Sequence, residues 1–181
     1  MTKRLGLLMG FLSLLTFSQA KAIENKHSTL ENKSDVTENK QVALECTLVI
    51  LKPDCMQKNL QGEIMKRFCD KGLKTIACKM IQLDDSILRE HYSHLTDKPF
   101  FPNLTNYMKE CPVIVMVLQG KDAIKTTREL LGATNPANAG KGTIRGDFGE
   151  NVTRNVVHAS DSTESATKEI ARFFKTEEIF K

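Results

Sequence analysis

The apolar run from Val113 to Leu118, directly after Pro112, constrains the fold more than any other feature of the sequence. Six successive apolar side chains, three of them valine, predict a strand that is buried on both faces. Weaker runs of the same kind predict three more strands, and helical spacing of apolar residues predicts the segments between them. The predicted strands are 47–51, 75–83, 113–118 and 156–157, and the predicted helices are 60–71, 87–95, 104–109, 122–131 and 163–174.

The order of these elements decides between the common architectures. Four strands alternate with helices, which is too few strands for a Rossmann sheet. We therefore expect an α/β (α+β) fold of the ferredoxin-like sandwich type, with a four-stranded antiparallel sheet covered by helices. One face of the sheet would carry the helices, and the other would need additional cover from inserted elements.

The first 44 residues differ in composition from the rest of the chain. Residues 1–22 combine basic Lys3 and Arg4, an apolar run at 5–17 that is short for a membrane span, and small residues at cleavage-site spacing. They predict a signal peptide, an exported protein and no stable membrane insertion. Residues 23–44 repeat Glu-Asn-Lys three times at seven-residue spacing, and their polarity predicts a linker rather than a coiled coil. The globular domain is expected at 45–181.

Charge and cysteine content exclude two classes of function. Three of the four net positive charges come from Lys3, Arg4 and Lys21, in a segment without acidic residues, so the basic balance gives no argument for nucleic-acid binding. The five cysteines are scattered without a Cys-x-x-Cys pair, so they do not predict a metal site, and we interpret them as structural thiols.

Residues 132–149 have no apolar periodicity and are rich in glycine. A structureless segment of this length inside a compact domain is usually functional. The segment contains side chains that suit phosphate, although the chain has neither a P-loop nor a Gly-x-Gly-x-x-Gly motif. These side chains are Thr134, Lys141, Thr143 and Arg145.

His158 follows the short predicted strand 156–157 and precedes the last predicted helix. Asp161 and Glu164 have the spacing of a capping box at the start of that helix. A histidine facing a helix N-terminus is well placed to meet an anionic ligand. Taken alone, such a histidine is more often structural.

Five segments, in order, resemble the motifs of nucleoside diphosphate kinases and together cover residues 45–181 without an obvious gap. The segment Asn155–Ser162 (NVVHASDS) resembles the active-site signature Asn-x-x-His-Gly-Ser-Asp. The other four are Leu51–Asp54 (LKPD), Lys98–Phe101 (KPFF), Thr134–Ala137 (TNPA) and Gly142–Phe148 (GTIRGDF).

The resemblance implies a ping-pong transfer of the γ-phosphate of a nucleoside triphosphate such as ATP to a nucleoside diphosphate. His158 would carry the phosphate as phosphohistidine, supported by Tyr92, Ser160 and Glu169. The nucleotide would be held by Lys52, Phe100, Arg128, Thr134, Arg145 and Asn155, with Phe100 stacking on the base. Mg²⁺ would be the cofactor, held through the nucleotide phosphates rather than by protein ligands.

Three positions depart from the family pattern. Ala159 replaces a glycine, His94 stands where an acidic residue is usual near the metal-bound water, and Ala133 replaces a glutamate. We expect these changes to affect rate and metal affinity rather than the class of reaction.

Further implications of the resemblance concern assembly and location. The expected partners are nucleoside tri- and diphosphates and copies of the same chain, as a hexamer or a tetramer, with no nucleic acid. Most of the family is cytoplasmic, which is the alternative to export. An exported, non-catalytic binding module of the same fold is the alternative to an enzyme.

Overall fold

The computed structural model describes residues 43–180. The expected signal peptide at 1–22 and nearly all of the expected linker at 23–44 lie outside the described residues. Within the described residues, no helix has the length and apolar character needed to cross a membrane.

All four predicted strands are present and form one sheet. They are β1 (Leu44–Leu51), β2 (Lys74–Ile81), β3 (Val113–Lys121) and β4 (Val157–Ala159). The strand order is β2-β3-β1-β4, and each neighbouring pair is antiparallel. The predicted four-stranded antiparallel sheet is therefore confirmed, with the two strands of strongest apolar character at its centre.

Helices connect the strands and cover both faces of the sheet. They are α1 (Pro53–Gln57), α2 (Gln61–Asp70), α3 (Asp85–His91), α4 (Phe101–Met108), α5 (Ala123–Leu131), α6 (Ile144–Phe148) and α7 (Thr163–Phe173). Short 3₁₀ turns occur at Ser93–Leu95, Pro136–Asn138 and Thr176–Glu178.

Alternating side chains of the sheet divide the described core into two layers. Leu48 and Ile50 of β1 pack with α3, α4 and the end of α7 on one face. Val49 and Leu51 pack with α2 and α5 on the other face. This alternation is the period-two pattern of a strand that is buried on both sides.

Two short helices were not predicted. Pro53, directly after β1, occupies the first position of α1, where a residue without an N–H loses no helical hydrogen bond. The stretch 132–149 was expected to be irregular throughout, but Thr143 caps α6 within it by accepting a hydrogen bond from Gly146 N–H at 3.1 Å.

The last strand and the last helix each differ from the prediction by about one residue. Val156 precedes β4, and His158 lies inside the strand rather than after it. The α7 cap is Ser162, whose Oγ accepts from Ser165 N–H at 3.1 Å, rather than the predicted Asp161.

The backbone of Val156 has a left-handed φ of 63°, which a β-branched residue rarely adopts. The buried carboxylate of Asp54 compensates for this strain: its Oδ2 accepts from Val156 N–H at 3.0 Å, and its other oxygen accepts from the Tyr107 hydroxyl. Asp54 at the start of α1 thereby fixes the chain where β4 begins.

We expect Asp54→Ala to lower the free energy of unfolding by about 2–4 kcal/mol, because two buried donors would lose their acceptor. Urea denaturation followed by circular dichroism would measure the change. Asp85→Ala is the matched control, because it removes a carboxylate that is paired at the surface with Lys109. It should lower the free energy of unfolding by about 1 kcal/mol or less. Equal effects of the two substitutions would contradict the role of Asp54.

Gly146→Ala should also destabilise the fold, by about 1–3 kcal/mol, because a methyl group there would collide with the backbone of Gly140. Gly140→Ala is the control, since a methyl group at that position meets nothing within 4 Å. Urea denaturation of both variants would test the difference, and an unchanged stability of Gly146→Ala would contradict it.

Candidate active site

Backbone hydrogen bonds on both sides of His158 fix its position at the edge of the sheet. Lys52 N–H donates to the carbonyl of Val156 at 2.9 Å, before β4. Ser160 N–H donates to the carbonyl of Leu48 at 3.1 Å, after β4. The histidine is therefore held by strand pairing, although it is close to loops.

Glu169 of α7 fixes the ring of His158. Its Oε2 lies 3.1 Å from His158 Nε2 and accepts a hydrogen bond from Ser160 Oγ at 2.7 Å. Burial opposes ionisation of Glu169, but its bonds with His158 and Ser160 and the charge of Arg172 outweigh burial, so the pKa of its carboxyl is below the ordinary value. The carboxylate favours the proton on Nε2, and this tautomer leaves the lone pair on Nδ1 for reaction.

His91 packs against His158 and was not predicted as a site residue. The two ring centroids are 4.7 Å apart in an edge-to-face arrangement, and Arg172 Nη1 lies 3.3 Å from His91 Nδ1. Burial, followed by the charges of His158 and Arg172, lowers the pKa of His91 far below its ordinary value, so the ring is neutral. In the sequence, His91 lies on the apolar face of the predicted helix 87–95, and this spacing assigned it to the core.

A cavity of about 770 Å³ opens in front of His158. Nine of the ten predicted site residues line it, and the tenth, Ser160, is fully buried. The nine are Lys52, Tyr92, Phe100, Arg128, Thr134, Arg145, Asn155, His158 and Glu169. The structure thus brings the predicted residues together, while their individual roles stay predictions.

Asn155 connects the cavity to the loop beside it. Its Oδ1 accepts from the ammonium of Lys52 at 2.7 Å. Its Nδ2 donates to the carbonyls of Thr134 and Val152, each at 3.0 Å. The side-chain amide therefore positions Lys52 and holds two loop segments at the same time.

Arg145 enters the cavity from α6. Its Nη1 donates to the carbonyl of Gly132 at 3.2 Å, and its Nη2 donates to the carbonyl of Val157 at 2.9 Å. The short, unpredicted helix therefore places this guanidinium directly against the strand of His158.

Two cations of the cavity, Lys52 and Arg145, are buried without full compensation. Burial, and secondly the charge of Arg145, lowers the pKa of Lys52 to about 8, although Asp54 acts in the opposite direction. Burial and the neighbouring Arg128 lower the pKa of Arg145 to about 10. Concentrated positive charge of this kind suits a ligand with several negative charges.

Phe100 and Val152 provide apolar surface at the same cavity, with 52% and 56% of their areas exposed. Exposed apolar side chains in a concave site commonly contact a flat or apolar part of a ligand. Phe100 was predicted, whereas Val152 was missed because a single valine in a polar loop gives no sequence signal.

Two departures from the family pattern change the surroundings of His158 in different ways. Ala159 is buried within β4 and is absent from the described non-glycine residues with positive φ, so it adds no backbone strain of that kind. His94 lies in the 3₁₀ turn Ser93–Leu95 and lines the cavity as an exposed imidazole. The third, Ala133, is exposed beside Thr134.

Comparison with known proteins agrees with this geometry. The family model described as nucleoside diphosphate kinase matches residues 45–179. A nucleoside diphosphate kinase from Parabacteroides distasonis is 54% identical over 137 residues, covering 76% of this chain and 90% of that protein. The human nucleoside diphosphate kinase 3 is 50% identical over 137 residues, covering 76% of this chain and 81% of that protein.

Solved structures show the same similarity. The Halobacterium salinarum nucleoside diphosphate kinase in complex with CDP is 40% identical, with a TM-score of 0.75, and the match covers 77% of this chain and 93% of that one. The Aquifex aeolicus enzyme is 41% identical, with a TM-score of 0.73 over 76% of this chain and 99% of that one. These similarities confirm the ferredoxin-like fold and give no support to a non-catalytic module; the chain belongs to the nucleoside diphosphate kinase family, whose members are phosphotransferases.

Proposed function

We propose that the protein transfers the terminal phosphoryl group of a nucleoside triphosphate to His158 and then to a nucleoside diphosphate. The observation that carries this proposal is the 3.1 Å contact between His158 Nε2 and Glu169, on a histidine that lines a cavity with five cationic side chains. The contact orients the imidazole of His158, and the cations suit the phosphates of the nucleotide.

In the first half-reaction, the lone pair of His158 Nδ1 attacks the γ-phosphorus. The bond from that phosphorus to the bridging oxygen breaks, and the nucleoside diphosphate leaves with the electron pair. Glu169 and Ser160 keep the proton on Nε2 and stabilise the positive charge that develops on the ring. A nucleoside diphosphate then takes the phosphoryl group from Nδ1 by the reverse displacement.

The phosphoryl group carries its negative charge on equatorial oxygens in the transition state. Lys52, Arg128 and Arg145 are the cavity cations that would neutralise this charge, and Thr134 would add a hydroxyl donor. Because hydrogen bonds already hold Lys52 and Arg145 in place, these two cations need little reorganisation during the reaction.

The protein would recognise the nucleoside by stacking on its base and by contacts with its ribose. Phe100 presents an exposed ring at the cavity, and stacking discriminates weakly between bases because every base has a π face. We therefore propose a broad range of nucleotides. Lys52 and Asn155 would face the ribose and phosphate side, with Tyr92 beside the histidine.

The donor set of the cavity fits Mg²⁺ that arrives with the nucleotide. Glu169 is already engaged by His158 and Ser160, and Glu90 by Arg172, which leaves Asp161 as the remaining carboxylate of the cavity. When bound, Mg²⁺ would neutralise part of the phosphate charge, since it prefers phosphate and water oxygens to an all-protein cage.

Assembly and location extend the same proposal. We propose a homo-oligomer, a hexamer or a tetramer; Met80, on the edge strand β2 with 61% of its area exposed, is apolar surface available for contact. We also propose export, supported by the sequence of residues 1–22. N-terminal sequencing of protein from fractionated cells would test both the compartment and the removal of that segment.

The phosphohistidine is tested by labelling with a triphosphate that carries a radioactive γ-phosphate. Wild-type protein should acquire acid-labile, alkali-stable label, and His158→Ala should acquire none, because the attacking nitrogen is missing. His27→Ala, in the predicted linker, is the matched control and should label like the wild type. Label on His158→Ala, or none on the wild type, would refute the proposal.

The lowered pKa of Lys52 predicts that nucleotide binding depends on pH. Above pH about 8 the free enzyme loses this charge, so the dissociation constant for a nucleoside diphosphate should rise, by about tenfold for one charged hydrogen bond. Calorimetric titration between pH 7 and about 9 would measure it. Arg145 keeps its charge in this range because its pKa is about 10.

Lys52→Gln is the control for this pH dependence. It should bind weakly at all of these pH values, with no further loss as pH rises through 8. The assignment to Lys52 would be wrong if the variant retained the wild-type pH profile.

A further inference from the structure

Three side chains beside the cavity have the donor set of a zinc site. His91, His158 and Glu169 each offer one ligand atom, and these atoms all lie within 4.8 Å of one another. We propose that the three side chains bind a zinc ion, and that bound zinc prevents phosphorylation of His158. The second half of this inference rests on the proposed function.

The chemistry of the donors selects the class of metal. Two imidazoles and one carboxylate, with a fourth position open to water, form one of the ligand sets of zinc. Imidazole suits zinc and related transition metals, whereas Mg²⁺ requires oxygen donors. The zinc site is therefore distinct from the Mg²⁺ that accompanies the nucleotide.

The spacing between His158 and Glu169 already fits a metal. Their Nε2 and Oε2 atoms are 3.1 Å apart. Two ligand atoms at about 2.0 Å from a tetrahedral zinc ion are about 3.3 Å apart. Zinc would take the place of the proton between these atoms, and the neutral ring of His158 would then carry its proton on Nδ1.

His91 supplies a second, independent observation. Only 7% of the residue is exposed, and its Nε2 has no hydrogen-bond partner among the described residues. A buried polar atom without a partner is uncommon and carries an energetic cost that a ligand would remove. Coordination through Nε2 requires the proton on Nδ1, so zinc would displace the 3.3 Å contact with Arg172, which keeps its bond to Glu90 at 2.9 Å.

Zinc at this position opposes phosphoryl transfer directly. It would occupy the oxygen of Glu169 that orients His158 and use the lone pair of Nε2, so Nδ1 would carry the ring proton and lack the lone pair that attacks phosphorus. The positive charge of Arg172 near the ion reduces affinity, and we expect binding weaker than at a structural zinc site.

Zinc binding is tested on the full chain without nucleotide, by calorimetry with Zn²⁺ and by absorption with Co²⁺ as a spectroscopic substitute. All proteins carry Cys69→Ser and Cys78→Ser, which remove the two exposed thiols as competing ligands. We expect one ion per chain and the strong visible absorption of tetrahedral Co²⁺. Absence of binding to the parent protein would overturn the site.

Two variants and one control locate the ion. His91→Phe keeps an aromatic ring against His158 and removes both nitrogens, and Glu169→Gln removes the carboxylate; each should weaken zinc binding by more than about 100-fold. His94→Ala, which removes a cavity imidazole outside the group, should bind zinc like the parent. Unchanged binding by His91→Phe, or loss of binding by His94→Ala, would contradict the assignment.

The effect on phosphorylation is measured as the final amount of label on His158. Protein is kept at a saturating concentration of zinc and then given labelled triphosphate with excess Mg²⁺. We expect no label until a zinc chelator is added, whereas His91→Phe should reach its full label without the chelator. Full labelling of the zinc-loaded parent would overturn the inhibition.

The two proposals fail in different ways. Normal labelling without zinc, together with no zinc binding, would overturn this inference and leave the proposed function intact. Zinc binding that depends on His91, together with no labelling in zinc-free protein, would overturn the proposed function and leave the zinc site intact.

Discussion

The hydrogen bond from Val156 N–H to the carboxylate of Asp54 is the constraint on which the site depends. Val156 has a left-handed backbone, a conformation that costs about 1–3 kcal/mol and persists only where the surroundings impose it. The buried acceptor and the adjacent Tyr107 hydroxyl impose it here. This contact fixes the chain directly before β4, and the hydrogen bonds donated by Lys52 N–H and Ser160 N–H then hold His158 in the strand.

The burial of two cationic side chains is the second constraint, and it lowers the stability of the folded protein. Lys52 and Arg145 are each less than 10% exposed, and burial lowers the pKa of both. The fold tolerates this because Asn155 accepts from the ammonium, and the carbonyls of Gly132 and Val157 accept from the guanidinium. A phosphate chain would replace the missing counter-charge, so the cost of burial in the free protein becomes binding energy.

The sequence predicted the sheet well because its signal is local. Apolar runs such as 113–118 identify strands that are buried on both faces, and the helices between them follow from apolar spacing. The sequence also identified the cavity residues, six of them within the ordered motifs and Tyr92, Arg128 and Glu169 through the family resemblance alone. Residue spacing did not predict α1 and α6, because helices of five residues are too short to show apolar periodicity. It did not predict the left-handed Val156 because that conformation depends on a contact with a distant part of the chain. Asp54 and Val156, for example, are about 100 residues apart.

The contrast between two touching histidines explains why one of them is the proposed nucleophile. His91 is buried, its Nδ1 lies against a guanidinium, and its lowered pKa keeps it neutral. His158 has 21% of its side chain exposed, faces the cavity, and has a carboxylate on Nε2 that stabilises positive charge. Transfer of the phosphoryl group to Nδ1 places positive charge on the imidazole ring. A carboxylate that accepts a hydrogen bond from Nε2 stabilises this charge, and Glu169 makes that hydrogen bond with His158. Glu169 therefore distinguishes the two rings, and the same carboxylate makes the pair a candidate metal site once a zinc ion replaces the proton.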